Sequence, residues 1–268
     1  MHMSISKYWQ LNKTFLQRHI AYRARVSIWI IADVANFLVF PFVWLAVYGS
    51  RETLAGYAKA DMVTYYMVIM FISVACTSHI SRHMKDDIIK GNLNAILVQP
   101  MRYLFFRTIH EVSYRILATG IAIALFGAAF FLFPAYMRFP SSPASLIFFL
   151  LSLFFSFYFS HLMQLFVGLS SFWLGDNTGP DRLRHIVEKV FSGEIAPLVF
   201  FPPLLQSIAG ILPFQFLSYV PAQIFVGQLT MQEMRHVVFI ASMWAAGLSV
   251  FVLFLWRRGV RRYDGVGI

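Results

Sequence analysis

Long apolar runs recur along this chain of 268 residues and limit what it can fold into. Hydrophobic residues make up 59% of the sequence and charged residues only 13%, whereas a soluble domain carries about 25% charged residues. A run of about 18 or more apolar residues is long enough to cross the hydrocarbon core of a bilayer as a helix. Helices are favoured there because lipid offers no partner for backbone N–H and C=O groups. The sequence therefore predicts an all-α polytopic membrane protein, folded as one transmembrane domain over residues 1–268.

The positions of these runs predict six transmembrane helices. Apolar residues in 186–230 are numerous enough for two spans, but prolines and glycines divide this region. Two full spans there would give seven crossings and would put the arginine-rich C-terminal end on the wrong side of the membrane. One span followed by re-entrant helices over 204–230 on the outer side avoids this. The predicted spans are 26–49, 62–80, 116–133, 145–174, a stretch near 186–203, and 237–256.

The positive charge is distributed unevenly along the chain. Eighteen of the 22 Lys and Arg residues fall in four clusters that the six-span topology places on one side. Cytoplasmic loops of membrane proteins carry such an excess of positive charge. The sequence therefore predicts cytoplasmic N- and C-termini. The net charge of +10 is explained in this way, and no nucleic-acid binding is expected.

An amphipathic segment at 4–24 precedes the first span. At 100° per residue, an apolar half-circle that includes Trp9 and Phe15 lies opposite a polar one that includes Lys13 and Arg18. An aromatic face with cations opposite suits the headgroup boundary of a bilayer. We predict an interfacial helix, and a solvated cytosolic helix is the alternative.

The polar segment 79–102, between the second and third spans, is predicted to form two short helices joined by a glycine. Apolar side chains that include Met84 and Ile88 recur at spacings of four, which puts them on one side of a helix. Gly91 suits a helix end because glycine accepts a left-handed conformation, and Pro100 stops the second helix. Such an element on the membrane surface offers a docking surface for a soluble partner.

Two acidic residues fall within predicted spans, where an ionisable side chain is costly and usually faces the bundle interior or water. Asp33 is in the first span, close to Asn36. Glu194 is in the fifth, between Gly193 and Pro197, which would loosen the local helix and leave carbonyl groups that need water. We predict that Glu194 lines a polar path or supports an outer gate. Asp33 is a candidate for the same path, with pairing to a cation near the surface as its alternative.

Sequence motifs of known catalytic sites are missing from the chain. It contains no GxxxxGK[ST] phosphate-binding loop, no HExxH or GxSxG motif and no spaced Cys/His cluster. His79 and His83 stand four residues apart, which is metal-ligand spacing on a helix, but two ligands without a third are more typical of surface histidines. We predict no catalytic residue, no metal site and no cofactor in this chain.

Two ordered motifs resemble the permease subunits of type-2 ATP-binding-cassette (ABC) exporters, and the resemblance covers nearly the whole chain. The first motif, DIIKGNLNAILVQP at 87–100, is similar to the family's acidic–Ile–basic–x–Gly–x–Leu…Leu–x–x–Pro signature, with the basic residue shifted next to the glycine. The second runs from SGEIAP at 192–197 through FP at 201–202, LPF at 212–214 and PA at 221–222 to Gly227. Asp33 is not expected from the family pattern.

The resemblance implies that 79–102 includes a coupling helix that docks on a separate ATPase, which would bind ATP and Mg. It also implies two ATPase subunits and a pair of permeases in a bacterial plasma (inner) membrane, either two copies of this chain or this chain with a paralogue. Ile88, Leu93 and Leu97 are expected to anchor the docking contact, because apolar residues at a docking centre dominate its energy. Exposed ion pairs contribute little, so Asp87 and Lys90 should mainly set orientation. The predicted coupling residues are Met84, Asp87, Ile88, Lys90, Gly91, Leu93, Leu97 and Pro100.

Other functional classes remain open from the sequence. A secondary, ion-coupled transporter needs acidic residues near the membrane midplane and internal repeats, and the sequence offers two candidate acids and no repeat. A membrane scaffold subunit without its own ATPase is a further alternative. A membrane-embedded enzyme would need a clustered catalytic set, and none is visible in the sequence. The sequence does not identify the substrate, and drugs, lipids, glycans and peptides all fit.

Overall fold

The fold comes from a computed structural model that describes residues 5–21 and 23–263, without several side chains in the first 37 residues. The side chains of Asp33 and Asn36 are among those outside the described set. A two-stranded antiparallel hairpin is formed by β1 (Thr53–Leu54) and β2 (Tyr57–Ala58). Short 3-10 helices lie at Pro134–Tyr136, Leu198–Phe200 and Pro213–Phe216. The α-helices are α1 (Ile5–Ala21), α2 (Arg23–Tyr48), α3 (Lys59–Cys76), α4 (Ile80–Ile89), α5 (Asn92–Leu97), α6 (Tyr103–Leu132), α7 (Pro143–Leu174), α8 (Thr178–Phe191), α9 (Pro203–Ile211), α10 (Tyr219–Val226) and α11 (Met231–Arg262).

Four helical segments in the described part of the chain are long and apolar enough to cross a membrane. They are Lys59–Ile89, which joins α3 and α4, together with α6, α7 and α11. Helix α2 spans 26 residues over the predicted first crossing, and its segment Leu38–Tyr48 is apolar. The prediction of a mostly helical, multi-pass membrane protein is therefore confirmed.

Side-chain caps set where two of the long helices begin. At the start of α11, Thr230 Oγ1 accepts a hydrogen bond from the Glu233 N–H, and Glu233 Oε2 accepts one from the Thr230 N–H at 2.7 Å. These reciprocal bonds satisfy N–H groups that have no partner within the helix. At the start of α7, Ser142 Oγ accepts from the Ser145 N–H at 3.1 Å, and Pro143 occupies the first helical position, where no N–H is needed.

Helix α3 lies at the centre of the bundle. In the segment Lys59–Ile89, which begins with α3, 83% of the most apolar 18-residue stretch is buried, against 22% for α6 and 11% for α11. Helix α3 packs against α2, α6, α7 and α10, and Tyr65 and Tyr66 on α3 have no exposed surface. The peripheral helices therefore expose apolar side chains around a packed core, as a protein surrounded by lipid does.

The predicted fifth span near 186–203 is not a continuous helix. Helix α8 ends at Phe191, and the chain then turns at Gly193, whose φ is +77°. A 3-10 helix follows Pro197, and α9 begins after Pro202. The physical reason is local, since the glycine takes a left-handed conformation and prolines supply no N–H to a helical ladder.

The segment after α9 packs deep in the bundle. Phe216 stacks on Phe159 of α7 with ring centroids 5.5 Å apart, and Ser156 of α7 donates a hydrogen bond to the Leu217 carbonyl. Helix α10 then runs along α3 and α7, and Phe225 near its end lies 4.8 Å from the ring of Phe149. Residues 203–226 therefore approach the middle of α7 and return towards the end where α7 begins.

Candidate functional site

The predicted helix–glycine–helix element is present between α3 and α6. Helix α4 ends at Ile89, and Gly91 adopts a left-handed conformation with φ +75° before α5 begins at Asn92. A side chain at Gly91 would carry the steric penalty of this conformation. The glycine therefore allows α5 to begin only two residues after α4 ends. We call α4, Gly91 and α5 the loop element.

The apolar face of the loop element packs inside the protein. Met84 has no exposed surface and lies against Gly168 of α7, where an added Cβ would meet the methionine Sδ at 2.8 Å. Ile88 and Leu93 are 5% and 0% exposed and join the same cluster. The structure therefore does not present these two side chains to a partner, and the expectation that they anchor a docked ATPase stays a prediction. Their spacing indicated a covered face but not what covers it.

Asp87 is also buried and paired within the chain. Its Oδ2 accepts hydrogen bonds from the Tyr103 hydroxyl at 2.6 Å and from Arg107 Nε at 2.7 Å. Both donors lie in the first turns of α6, so the contact ties α4 to α6. Asp87 was expected to orient a partner, whereas the structure gives it an internal ion pair.

The outer face of the loop element is exposed. Lys90 forms an exposed ion pair with Asp86 at 3.0 Å. Leu97 is 41% and Val98 85% exposed, and Pro100 is exposed at the end of the element. Of the predicted coupling residues, Lys90, Leu97 and Pro100 therefore lie at the surface. Val98 was not singled out from the sequence, because it falls outside the apolar ladder of α5. We call Ile89, Lys90, Leu97 and Val98 the outer face.

A buried ion pair lies where α3 gives way to α4. Arg115 Nε is 3.1 Å from Glu111 Oε1, and both residues of α6 are almost fully buried. Arg115 Nη1 also donates to the Val74 carbonyl at 2.8 Å, and its Nη2 lies 2.7 Å from His79 Nδ1. The His79 N–H donates to Glu111 Oε1 at 3.2 Å. The pair therefore joins α6 to both sides of the break between α3 and α4.

Side chains of α7 satisfy the backbone groups at the same break. The Ser78 N–H donates to Ser160 Oγ at 2.8 Å, and the Ser81 N–H donates to Gln164 Oε1 at 3.3 Å. Asn177 Nδ2, just before α8, donates to the Ser81 carbonyl at 3.2 Å. These polar groups replace the backbone partners that a helix break removes. Sequence analysis missed them, although polar residues inside the apolar run of α7 were a visible signal.

A surface ion pair fixes the far side of α4. Lys85 Nζ lies 3.0 Å from Asp176 Oδ1 in the link between α7 and α8. Hydrogen bonds from Thr178 and from Lys85 lower the pKa of Asp176 to about 2. The carboxylate is therefore charged at any physiological pH. α4 is thus held by α6 through Asp87 and by the α7–α8 link through Lys85.

The turn that contains Glu194 is held by two buried tyrosines of α3. The Tyr65 hydroxyl donates to the Gly193 carbonyl at 2.8 Å, and the Tyr66 hydroxyl donates to the Ile195 carbonyl at 2.7 Å. Pro197 is buried and Glu194 is half-buried. The backbone carbonyl groups of Gly193 and Ile195, on either side of Glu194, therefore accept hydrogen bonds from tyrosine hydroxyl groups and not from water alone. The path-lining role predicted for Asp33 and Asn36 concerns side chains outside the described set.

Within residues 5–21 and 23–263, no group of three or more His, Cys, Asp or Glu residues could hold a metal ion. His79, one of the two histidines at metal-ligand spacing, has its Nδ1 beside Arg115.

Comparison with known proteins identifies a family for this chain. A family model described as "ABC-2 family transporter protein" matches residues 34–267. This range contains every element from the second half of α2 onwards, including the loop element and the turn at 192–197. A search of curated proteins found no match.

Proposed function

This chain belongs to the ABC-2 family of transporter proteins as a membrane permease subunit, and we propose that it serves an ATP-driven exporter whose ATPase is a separate chain. The loop element carries this proposal, because one of its faces is fixed to the bundle and the other is exposed. ATP and Mg would bind to the partner ATPase. This chain would then hold no cofactor and catalyse no hydrolysis.

The outer face is the proposed docking surface for the ATPase. Ile89 and Leu97 are 42% and 41% exposed, and Val98 extends furthest into solvent at 85%. Apolar side chains at the centre of an interface usually dominate its binding energy. Lys90 and Arg82 are exposed beside them and would set orientation more than affinity. We therefore assign the contact to this face and not to Ile88 and Leu93.

The buried face of the loop element, opposite the outer face, would transmit movement of the ATPase to the membrane-spanning helices. Asp87 binds Arg107 and Tyr103 of α6, and Met84 is seated against α7. A displacement of α4 would therefore displace the ends of α6 and α7. Arg115 would extend this link, since it bonds both to α3 and to His79 ahead of α4. Protein interiors transmit such displacements because they are close-packed.

Contacts along 178–200 support a fifth crossing made of two pieces. The chain leaves the end of the bundle where Lys85 pairs with Asp176. After α8 and the turn at 192–197 it reaches the opposite end, where the ring of Phe200 lies 4.9 Å from Trp44 and 6.1 Å from Tyr57. We propose that the stretch near 186–203 crosses the membrane in these two pieces and that 204–230 is re-entrant from the outer side. This keeps six crossings and both termini cytoplasmic.

The amphipathic N-terminal helix is proposed to lie at the membrane interface. Tyr8 of α1 meets Phe105 of α6 with ring centroids 4.6 Å apart, and Phe15 meets Phe106 at 5.6 Å. Trp9 remains 61% exposed on another side of α1. A helix held along the start of α6 with an exposed tryptophan suits the headgroup region.

Helix α8 supports assembly as a pair of permeases. Leu183 and Ile186 are 64% and 62% exposed, although their helix is amphipathic. A second copy of this chain or a paralogue would cover them, with the translocation path between the two permeases and one ATPase on each. We place this assembly in a bacterial plasma (inner) membrane.

The turn at 192–197 is the proposed outer gate, with Glu194 at its centre. Tyr65 and Tyr66 hold the backbone on either side of this half-buried carboxyl group. Glu194→Gln keeps the shape and removes the charge. We expect unchanged assembly with altered export or substrate-stimulated ATPase activity. A variant that exports as wild type and is markedly more stable would show that Glu194 is only a tolerated acid at the protein surface.

The ATPase partner can be identified by site-specific crosslinking in native membranes. A photoreactive residue at Val98 should capture a protein that contains a GxxxxGK[ST] phosphate-binding loop. The matched control carries the same residue at Leu204, which is 72% exposed on α9 and should not capture that protein. Export that continues in cells lacking every captured ATPase would instead favour an ion-coupled carrier. Capture of the same ATPase from both positions would reject the assigned docking face.

A further inference from the structure

A shallow, open cavity of about 540 Å³ lies where α7 and α11 end. We propose that it binds the phosphate group of an anionic glycerophospholipid. Nothing in the coupling function uses this site, which stands on its own residues. Its lining combines one aromatic and apolar wall with three guanidinium groups: Trp173, Phe254, Leu255, Arg258, Arg261 and Arg262.

Helices α7 and α11 pack tightly beside this cavity. Gly259 of α11 is buried against Phe172 of α7, and an added Cβ there would clash with the phenylalanine Cδ2. The ring of Phe172 also contacts Trp256 at 6.1 Å and Tyr263 at 5.9 Å between centroids. The close approach of the two helices therefore fixes the arginine-bearing turns of α11 relative to Trp173.

Within the described residues, the three arginines have no ionic partner. In the part of the chain that the structure describes, none of Arg258, Arg261 and Arg262 lies within ion-pair distance of a carboxylate. Arg258 extends over the ring of Phe254 at 5.2 Å, which orients its guanidinium group but leaves the charge in place. Guanidinium groups bind phosphate through paired N–H donors, so a phosphate is the anion that these side chains suit.

The surroundings favour a lipid phosphate over a free one. At 1.5 Å per residue the 32 residues of α11 extend about 48 Å, which exceeds the hydrocarbon thickness of about 30 Å. The charged end of the helix therefore reaches the headgroup level, where tryptophan is enriched. Trp173, Phe254 and Leu255 continue into the exposed apolar surface of α11 at Val250. An acyl chain would lie along this surface while the phosphate meets the arginines.

The test uses the purified full chain in detergent, without an ATPase. Native mass spectrometry and thermal unfolding are measured with phosphatidylglycerol, with phosphatidylcholine of the same acyl chains, and with inorganic phosphate. We expect binding and stabilisation by phosphatidylglycerol above the other two. Arg258→Gln/Arg261→Gln/Arg262→Gln should lower the affinity for phosphatidylglycerol by about tenfold or more. The matched control is Arg257→Gln, which removes an exposed arginine of the same helix that does not line the cavity.

Three results would overturn the proposal. They are equal binding of the two lipids by the wild-type chain, equal loss in Arg257→Gln and in the triple variant, and full stabilisation by inorganic phosphate alone. The last result would identify a free-anion site. The comparison of the two lipids on the wild-type chain decides the matter even if the triple variant fails to fold.

Discussion

Helices α4 and α8 are both short and amphipathic, but they bury opposite faces. Helix α4 buries its apolar face, whereas α8 exposes apolar residues and turns polar ones inward. In α4 the apolar side chains of Met84 and Ile88 are at most 5% exposed, because α7 covers them. In α8 none of the residues is buried, and Ile186 is 62% exposed. Instead the polar side chains of Arg184 and Glu188 face inward, at 12% and 13% exposure, and pair with each other.

This difference separates two functions that one amphipathic pattern can serve. The apolar face of α4 is used within the chain, so its outer face is available for a soluble partner. The apolar face of α8 has no partner within the described chain, so lipid or a second permease must cover it. The first helix is therefore suited to receive movement from outside the bundle, and the second to assembly within the membrane.

The largest effect should come from the buried ion pair that holds α4 inward. The side chain of Asp87 is only 5% exposed, and Arg107→Ala leaves its carboxylate without a cation. Removing one partner of a buried pair costs about 3–5 kcal/mol. The exposed pair between Lys90 and Asp86 is the matched control, and Lys90→Ala should cost about 0–1 kcal/mol. Denaturant unfolding in detergent measures both. Equal losses would mean that Asp87 does not hold α4 in place.

The two apolar faces can be compared directly by truncation. Met84→Ala should lower the free energy of unfolding by roughly 2–5 kcal/mol, because a fully buried side chain leaves a cavity beside Gly168. Ile186→Ala on α8 should change it by about 0.5 kcal/mol or less in a detergent-solubilised single chain. A similar loss in both variants would show that α8 is packed within its own chain.

A smaller effect is expected at the turn that ends α8. Gly193→Ala places a Cβ 2.8 Å from the Tyr65 hydroxyl oxygen, in a residue with φ +77°. We expect a loss of about 1–2 kcal/mol from the backbone conformation, plus the cost of displacing the tyrosine. Tyr65→Phe removes only the hydroxyl and should cost about 0.5–1.5 kcal/mol. Thermal unfolding orders the two variants, and an unchanged Gly193→Ala variant would mean that the turn is not held as described.

The sequence predicted those features that depend on local pattern. Apolar run length gave the multi-pass helical architecture, and the spacing around Gly91 gave the helix–glycine–helix element, both of which are confirmed. The prolines and glycines after 186 indicated a broken segment, but they did not place the break at Gly193 directly after α8. That position depends on hydrogen bonds from α3, which lies more than a hundred residues earlier in the chain.

The rest depends on which elements become neighbours. Asp87 is the first residue of the motif at 87–100, but the motif does not show which residue pairs with it. The pairing arises only because the folded chain brings Arg107 beside it. Arg115 is one of the eighteen Lys and Arg residues that the sequence assigns to the cytoplasmic side, and the structure buries it in an ion pair with Glu111. From the sequence, a charged residue near the end of a span can equally be exposed in a cytoplasmic loop or buried in an ion pair. Pairing and burial are properties of the folded bundle and not of the local sequence.

The most direct test of this account measures binding between the purified permease and its ATPase. Leu97→Asp/Val98→Asp changes two exposed apolar side chains of the outer face, and Ser50→Asp adds a charge to the exposed turn after α2 as a control. The account predicts that the double variant binds the ATPase about tenfold or more weakly, with an unchanged free energy of unfolding, while the control binds as wild type. Wild-type affinity in the double variant would contradict it.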